Sequence, residues 1–533
     1  MIAGALALLF VVIVGRSAYV AVNGPSKGLN NAVAESVRRA DIVDRKGEIM
    51  ATSLAVWSIA ADPRAVWDGK EVATSIASVL PGIDVADLTK RLSDTDRHFV
   101  WIQRGITPRQ KQAVFDLGLE GLQFQQETRR VYPRGSLAGH FLGFTDVDGK
   151  GVEGAELAFN DRLSKGGAPL KVTLDAGVQH TLEDELETAF ADFDMKGGAG
   201  IVLDAATGEV RAIASWPAVD PNHPQGRSEA AKLNRAIGAT YELGSIYKPL
   251  TVAAALDAGV LSTTETFDVS KPIRVGATPI KDHDPLQHPQ AVTAADIIAY
   301  SSNVGAVEIA KKLGAEKQKD FLSKVGLLSR LSYDGPQSAA PMPPPEWDAL
   351  ASATISYGHG LAVSPLAFAM AYTPFANGGE YVEPLFLDPK ANLVDVTKIE
   401  KKRVMTKATA QTVLSMLREV VTRGTGANAN AAGYDVAGKT GTAEKIGPDG
   451  YDSERNITSF AAVFPASRPQ FVVLVMLDEA QPRTGDKRTA AYTAATIAGK
   501  VIARAAPLLD VQPVLETSRV EASSLRASEA VTQ

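Results

Sequence analysis

Tyr241-Glu242-Leu243-Gly244-Ser245-Ile246-Tyr247-Lys248-Pro249 decides how the rest of the chain reads. Leu250-Thr251-Val252-Ala253-Ala254-Ala255-Leu256 follows it, rich in alanine and leucine and so helix-forming. Gly244 breaks the chain just before this helix. Pro249 lacks an N–H and belongs in the first turn. Ser245 then lies at the helix mouth, where free N–H groups and the dipole favour negative charge. Lys248, three residues on, falls on the same face one turn along. A hydroxyl beside an amine at a positive helix end suits a nucleophile and its base. Alone, S-x-x-K also fits a serine cap with a solvated lysine.

The 533 residues exceed what one core organises, so two or more domains are expected. Hydrophobic content of 45% and charged content of 22% are ordinary for a globular protein. A net charge of −6 without a basic stripe argues against nucleic-acid binding. The chain has no cysteine, which excludes disulfides, thiolate metal sites and a cysteine nucleophile. Residues 2–22 are apolar apart from Arg16 and Ser17 and long enough to cross a bilayer. No clear A-x-A cleavage site follows, so they read as a transmembrane anchor over a signal peptide. No Lys or Arg precedes them, which points to a basic cytoplasmic tail missing from this start.

Residues 23–34 read as a linker. Ile42-Val43 and Glu48-Ile49-Met50 flank a charged turn ending at Gly47, a hairpin pattern, and 56–61 reads as a further strand. Helices are expected over 70–80, 84–92 and 108–117. This first region, 35–170, reads as a mixed α/β pedestal. A strand over 170–174 and an amphipathic helix over 175–190 open the second region, 171–508. Residues 199–204 and 209–214 flank Thr207-Gly208 as a hairpin. A mostly helical block runs from the nucleophile segment to about 331, and 335–345 is a proline-rich loop. Further helices are expected over 366–376, 408–421 and 489–505. Residues 459–464 and 471–477 pair as another hairpin, and 509–533 reads as a disordered tail. The fold class is therefore α+β and multidomain, with hairpins framing an inserted helical block.

Two further segments carry polar groups. Ser301-Ser302-Asn303 lies between helical runs, and Lys439-Thr440-Gly441-Thr442 follows Val436-Ala437-Gly438. S-x-x-K, then S-x-N, then K-T-G-T in this order resembles the penicillin-binding proteins and serine β-lactamases. The resemblance covers nearly the whole chain. Arg39 to Ala51, around Asp44-Arg45-x-Gly47, is similar to the first box of class B penicillin-binding proteins. Arg130-Val131-Tyr132-Pro133-x-Gly135 and Gly154-x-Glu156 are similar to later boxes. Asn234-Arg235-Ala236-Ile237 and Tyr357-Gly358-His359-Gly360-Leu361 resemble the FtsI-type, division-specific members. The glycosyltransferase signature of class A enzymes is not found. Leu243 stands where the family often has proline.

The resemblance implies a penicillin-binding transpeptidase domain with a central antiparallel sheet and a helical block. It implies a D,D-transpeptidase that removes the terminal D-Ala of a peptidoglycan stem peptide and joins the remainder to a neighbouring amine. Ser245 would attack, Lys248 would take its proton, and a neighbouring cation, Lys439, would favour neutral Lys248. Ser301 would relay the proton, and Asn303 would hold the substrate amide. Thr440 and Thr442 would bind the terminal carboxylate, with Gly441 allowing close backbone approach. The N–H groups of Ser245 and Thr442 would form the oxyanion hole. β-Lactams would acylate Ser245. No cofactor or metal is implied, and His283 and His288 match no usual zinc spacing. Glu242 reads as a loop contact, and Arg423-Gly424-Thr425-Gly426 lacks a P-loop lysine.

The implied partners are the membrane, a polytopic glycosyltransferase and other divisome proteins. The implied location is the periplasmic face of the inner membrane at the septum. The alternatives are an elongation-type transpeptidase, and a β-lactam sensor or scaffold without turnover.

Overall fold

Asp44 sets the first turn of the chain that can be followed, in a computed structural model describing residues 38–283, 291–392, 401–447, 450–481 and 488–513. Its carboxylate accepts from the N–H groups of Lys46 and Glu48, both at 2.8 Å. The turn joins β1 (Ile42–Val43) to β2 (Ile49–Ala61) as an antiparallel hairpin. The expected anchor over 2–22, the linker and most of the tail lie outside the described residues. Among the described residues no helix is long and apolar enough to cross a membrane.

The described chain forms two compact units interleaved in sequence. The first comprises 38–40, 53–131 and 161–168. In it, β2 pairs with β3 (Val100–Ile106) and with β4 (Leu122–Val131). Helices α1 (Gly69–Val79), α2 (Val85–Leu92) and α3 (Pro108–Phe115) carry the three expected patterns. Asp68, Asp84 and Thr107 cap them by accepting from first-turn N–H groups, as short polar side chains do. Val72, Ile76, Leu88 and Leu92 meet Ile59, Ile102 and Ile106 in one core. Strand β2 is one continuous element of 13 residues, whereas the sequence suggested a separate strand over 56–61. Thr52 and Ser53 obscure its period, yet both are buried; Thr52 donates to Asp41 and Ser53 to the Arg39 carbonyl.

The second unit holds 41–52, 132–160 and everything from 169 onward. Strand β5 (Leu170–Lys171) is shorter than the expected 170–174 and runs parallel to β1. Helix α4 (Ala176–Phe193) follows, capped by Asp175. A five-stranded antiparallel sheet is the centre of this unit. It takes β6 (Gly197–Asp204), β7 (Val210–Trp216), β14 (Ala437–Gly447), β15 (Gly450–Phe464) and β16 (Phe471–Asp478), in the order β14-β15-β16-β6-β7. Every residue of β16 is buried, so it reads as an apolar run without alternation. Val473, Val475 and Leu477 face α4 and α12 (Ala494–Ala505). Successive side chains alternate, so Val472, Leu474 and Met476 face the other way, into the helical block.

That block holds α5 (Lys248–Asp257), α6 (Ala294–Tyr300), α7 (Asn303–Leu313), α8 (Ala315–Lys324), α9 (Ala349–Ser356), α10 (Pro365–Ala371) and α11 (Lys407–Arg423). Helix α10 packs on β6 and β16, and α5 packs on α7, α8 and α11. The block is less purely helical than expected. It includes β8 (Thr266–Asp268), β9 (Ile273–Val275), β10 (Thr278–Ile280) and β11 (Ala291–Thr293), joined as β8 with β11 and β9 with β10. Three-residue strands are too short to print a period-two pattern. A last pair, β12 (Glu380–Tyr381) with β13 (Lys402–Arg403), lies between α10 and α11 in sequence. The closing helix begins at Ala494, because Thr489 to Thr493 form turns.

Candidate active site

The nucleophile segment begins as a 3₁₀ turn, Gly244–Tyr247, and becomes α5 at Lys248, with Pro249 in the first turn. Two buried tyrosines fix this turn. Tyr372 donates to the Ile246 carbonyl at 2.7 Å, and Tyr247 donates to the Leu361 carbonyl at 3.2 Å. Ser459 donates to the Leu243 carbonyl at 2.8 Å, which fastens the turn to β15. Gly358 has φ +96°, and a Cβ there would land on the Gly244 carbonyl. Gly441 matters in a similar way. A Cβ at Gly441 would strike the Leu243 carbonyl, so its bareness lets β14 lie against the nucleophile turn.

The structure brings Ser245, Lys248, Ser301 and Asn303 together. Lys248 Nζ lies 2.7 Å from Ser245 Oγ, 2.7 Å from the Ser301 carbonyl, 3.0 Å from Ser301 Oγ and 2.8 Å from Asn303 Oδ1. An ammonium has three N–H groups and no lone pair; a neutral amine has two and can also accept. Two of the four oxygens are carbonyl acceptors and two are hydroxyls, so a neutral amine can give its two N–H groups to the carbonyls and turn its lone pair to a hydroxyl. Lys248 is fully buried, and burial pushes its pKa down to about 7, with the negative charge of Asp282 opposing. Ser245 stays partly exposed and so can be reached from solvent.

Ser301 is the αL end of α6, with φ +65°, and this conformation turns its carbonyl and hydroxyl toward Lys248. Ser302 caps α7, and Asn303 is the first residue of that helix. Asp282 fastens this loop. It accepts from Ser302 Oγ at 2.8 Å, the Asn303 N–H at 2.5 Å and the Val304 N–H at 3.0 Å.

Lys439 sits on β14, fully buried. Its Nζ donates to the Thr440 carbonyl at 2.9 Å and to Thr440 Oγ1 at 3.3 Å. No hydrogen bond joins Lys439 to the four-residue group among the described residues. Its ammonium is pushed well below the ordinary lysine value by burial and then by the charge of Lys248. The two amines are thus electrostatic neighbours, yet the Lys248 shift comes from burial, opposed by Asp282. Thr440 Oγ1 and Thr425 Oγ1 share a hydrogen bond of 2.6 Å. Thr442 is exposed on β14, and its hydroxyl accepts from the Ala490 N–H at 3.3 Å.

An aromatic rim stands beside this group. His359 lies 5.4 Å from Tyr357 and 5.2 Å from Tyr451, ring centre to ring centre. Burial and then the Lys248 charge push His359 down to about 4, so it is neutral at physiological pH. Glu242 accepts from the Gly360 N–H at 2.8 Å and from the Tyr451 hydroxyl at 3.1 Å. It is the loop contact that the sequence suggested.

Asp282, Thr425, His359 and Tyr451 were not foreseen as parts of this site. No local motif marks Asp282, Thr425 or Tyr451. His359 was visible only inside the Tyr357-Gly358-His359-Gly360 stretch. Among the described residues no cluster of His, Asp or Glu could hold a metal ion; His288 lies outside them.

Comparison with known proteins follows the same lines. Residues 198–502 match the penicillin binding protein transpeptidase domain, and 34–188 match the penicillin-binding protein dimerisation domain. The chain is 36% identical over 505 residues to the probable peptidoglycan D,D-transpeptidase FtsI of Caulobacter vibrioides, covering 92% of this chain and 84% of that protein. It is 31% identical over 517 residues to the probable peptidoglycan D,D-transpeptidase PenA of Neisseria gonorrhoeae, covering 89% and 87%. It is 29% identical over 558 residues to peptidoglycan D,D-transpeptidase FtsI of Escherichia coli K12, covering 96% and 92%. Penicillin binding protein 3 of Mycobacterium tuberculosis, solved with aztreonam, superposes with a TM-score of 0.70 at 25% identity, over 90% of this chain and 98% of that one.

Proposed function

This chain belongs to the penicillin-binding protein transpeptidases of the FtsI type, and from that premise we propose how its residues act and where it works. It is a peptidoglycan D,D-transpeptidase, with peptidoglycan as substrate and β-lactams as ligands. The proposal assigns the nucleophile to Ser245. Neutral Lys248 takes the Ser245 proton as Oγ attacks the carbonyl between the two terminal D-Ala residues. The oxyanion that forms is held by the N–H groups of Ser245 and Thr442. Its collapse breaks the peptide bond, and Ser301 passes the proton from Lys248 to the departing D-Ala amine. An amine of a neighbouring stem then attacks the Ser245 ester, gives its proton to Lys248, and leaves as the cross-linked amide. Ser245 regains the proton.

Asn303 orients Lys248 and meets the substrate amide. Thr440 and Thr442 receive the terminal carboxylate, with Gly441 carrying the backbone between them. The observation that carries the reading is the fully buried Lys248 amine 2.7 Å from Ser245 Oγ, with Ser301 and Asn303 around the same nitrogen.

The proposal also reads 35–170 as a pedestal and 171–508 as the catalytic domain. Residues 2–22 anchor the chain in the inner membrane, and the catalytic domain is periplasmic and septal, beside a polytopic glycosyltransferase. The test is to incubate the protein with a D-Ala–D-Ala-ended stem peptide and an amine acceptor. Released D-Ala and cross-linked product are measured by mass spectrometry for wild type and Ser245→Ala. Loss of both products in the variant is expected; equal yield from it would refute the assignment. A tagged copy at the septum supports the division role, and lateral-wall labelling alone would favour the elongation role.

A further inference from the structure

A second polar pocket lies on the helical block, built from residues none of which belongs to the active site. It has a volume of about 210 Å³ and is lined by the end of α8, the loop that follows, and the β12–β13 pair. That is below the ~300–1,000 Å³ of sites for drug-sized molecules, so the pocket suits a small group. Tyr381 forms its base and is only 7% exposed. The Tyr381 hydroxyl makes no hydrogen bond among the described residues, although a buried tyrosine normally finds a partner. Gly326 makes room for that hydroxyl, because a Cβ there would stand 2.7 Å from Tyr381 Oη.

Lys324 and Arg330, on the stretch that ends α8 and follows it, and Lys402 of β13 bring three cations to the walls. Lys324 pairs with Asp320, while Arg330 and Lys402 have no ion pair among the described residues. Ser329 and Ser332 add hydroxyls, and Glu383 is the one carboxylate on the lining. Three exposed cations against one lining carboxylate give the pocket a positive local potential, which attracts anions.

We propose that this pocket binds a phosphate ester, held by Arg330, Lys402 and Lys324 with the Tyr381 hydroxyl beneath it. Donors converging from several directions suit the three or four oxygens of a phosphoryl group better than the two of a planar carboxylate. The ester can come from a soluble metabolite or from a phospholipid headgroup. Helix α8, whose end forms one wall, packs on α5, the helix that carries Lys248.

The test uses the full chain, in detergent for the phosphate titration and after detergent removal for the vesicle comparison. Inorganic phosphate is titrated by calorimetry, and vesicle binding is compared for phosphatidylglycerol and phosphatidylcholine. The proteins are wild type, Arg330→Glu/Lys402→Glu and Tyr381→Phe, with unchanged labelling by a fluorescent penicillin as the check on folding. Saturable phosphate binding that weakens at least tenfold in the charge-reversal variant supports a soluble ester. A preference for phosphatidylglycerol vesicles lost in that variant supports a headgroup. Tyr381→Phe should weaken either one several-fold, and added salt should weaken it further. No saturable binding of either probe by wild type, or equal binding by all three proteins, would overturn the proposal.

Discussion

Acidification should switch off acylation of Ser245, with a midpoint set by Lys248. The perturbation is a fall from pH 8 to pH 5. Lys248 has its pKa pushed down to about 7 by burial. The proton-accepting form is then about nine-tenths of the population at pH 8, about one-tenth at pH 6 and about one-hundredth at pH 5. The second-order rate constant for a fluorescent penicillin should fall roughly tenfold per pH unit below 7, and close to a hundredfold overall. Stopped-flow labelling over this range is the assay. The same shift has a stability consequence, and its sign is fixed. Between about pH 7 and 10.5 the unfolded chain binds a proton at Lys248 that the folded chain has released. Stability from this group is therefore full above 10.5 and is lost as pH falls toward 7. A drop from 10.5 to about 7, at about 1.4 kcal/mol for each pKa unit, costs about 5 kcal/mol at neutral pH. Lys248→Met removes that cost and forfeits hydrogen bonds of about 1 kcal/mol each. It should be inactive, and its stability should lack the wild-type loss between about pH 10.5 and 7. A labelling rate that is flat from pH 5 to 8, together with a Lys248→Met protein whose stability follows pH as the wild type's does, would refute the reasoning.

Three other outcomes follow from particular contacts. Asp282→Ala removes a buried acceptor of three hydrogen bonds, so it should cost about 2–4 kcal/mol of stability in urea titration. Labelling of Ser245 should slow at least tenfold in that variant, because Asn303 loses its anchor. Gly358→Ala places a Cβ against the Gly244 carbonyl at a positive φ, and soluble yield and penicillin labelling should both collapse. Tyr451→Phe removes only a rim bond to Glu242, so thermal stability should move by less than about 1 kcal/mol while apparent penicillin affinity changes several-fold.

The sequence displayed helices wherever caps and periods agreed. Asp68, Asp84 and Asp175 each stand just before the helix they cap, so α1, α2 and α4 could be read to within a few residues. The strand pair β15 and β16 was visible as apolar runs, because the sheet is covered on both faces. Legibility failed where elements were too short for a period, as in β8 to β11. It failed again in β2, where buried Thr52 and Ser53 break the pattern while serving as hydrogen-bond donors.

The site divides similarly. Ser245, Lys248, Ser301 and Asn303 sit in motifs whose spacing means something only when the family is known. Asp282 and Thr425 act through contacts made by folding, across 20 residues to Ser302 and 15 residues to Thr440, and local sequence gives no sign of them. The weight of burial in setting the Lys248 amine was equally invisible, since it depends on how completely α5 is covered.

Covalent trapping tests the core of this account most directly. Full-length protein is incubated with benzylpenicillin, digested, and its peptides sequenced by mass spectrometry, beside Ser245→Ala and Lys248→Met. A single penicilloyl adduct on Ser245, absent from both variants, is the expected result. An adduct on any other residue, or undiminished adduct formation in Lys248→Met, would contradict the pairing of hydroxyl and neutral amine.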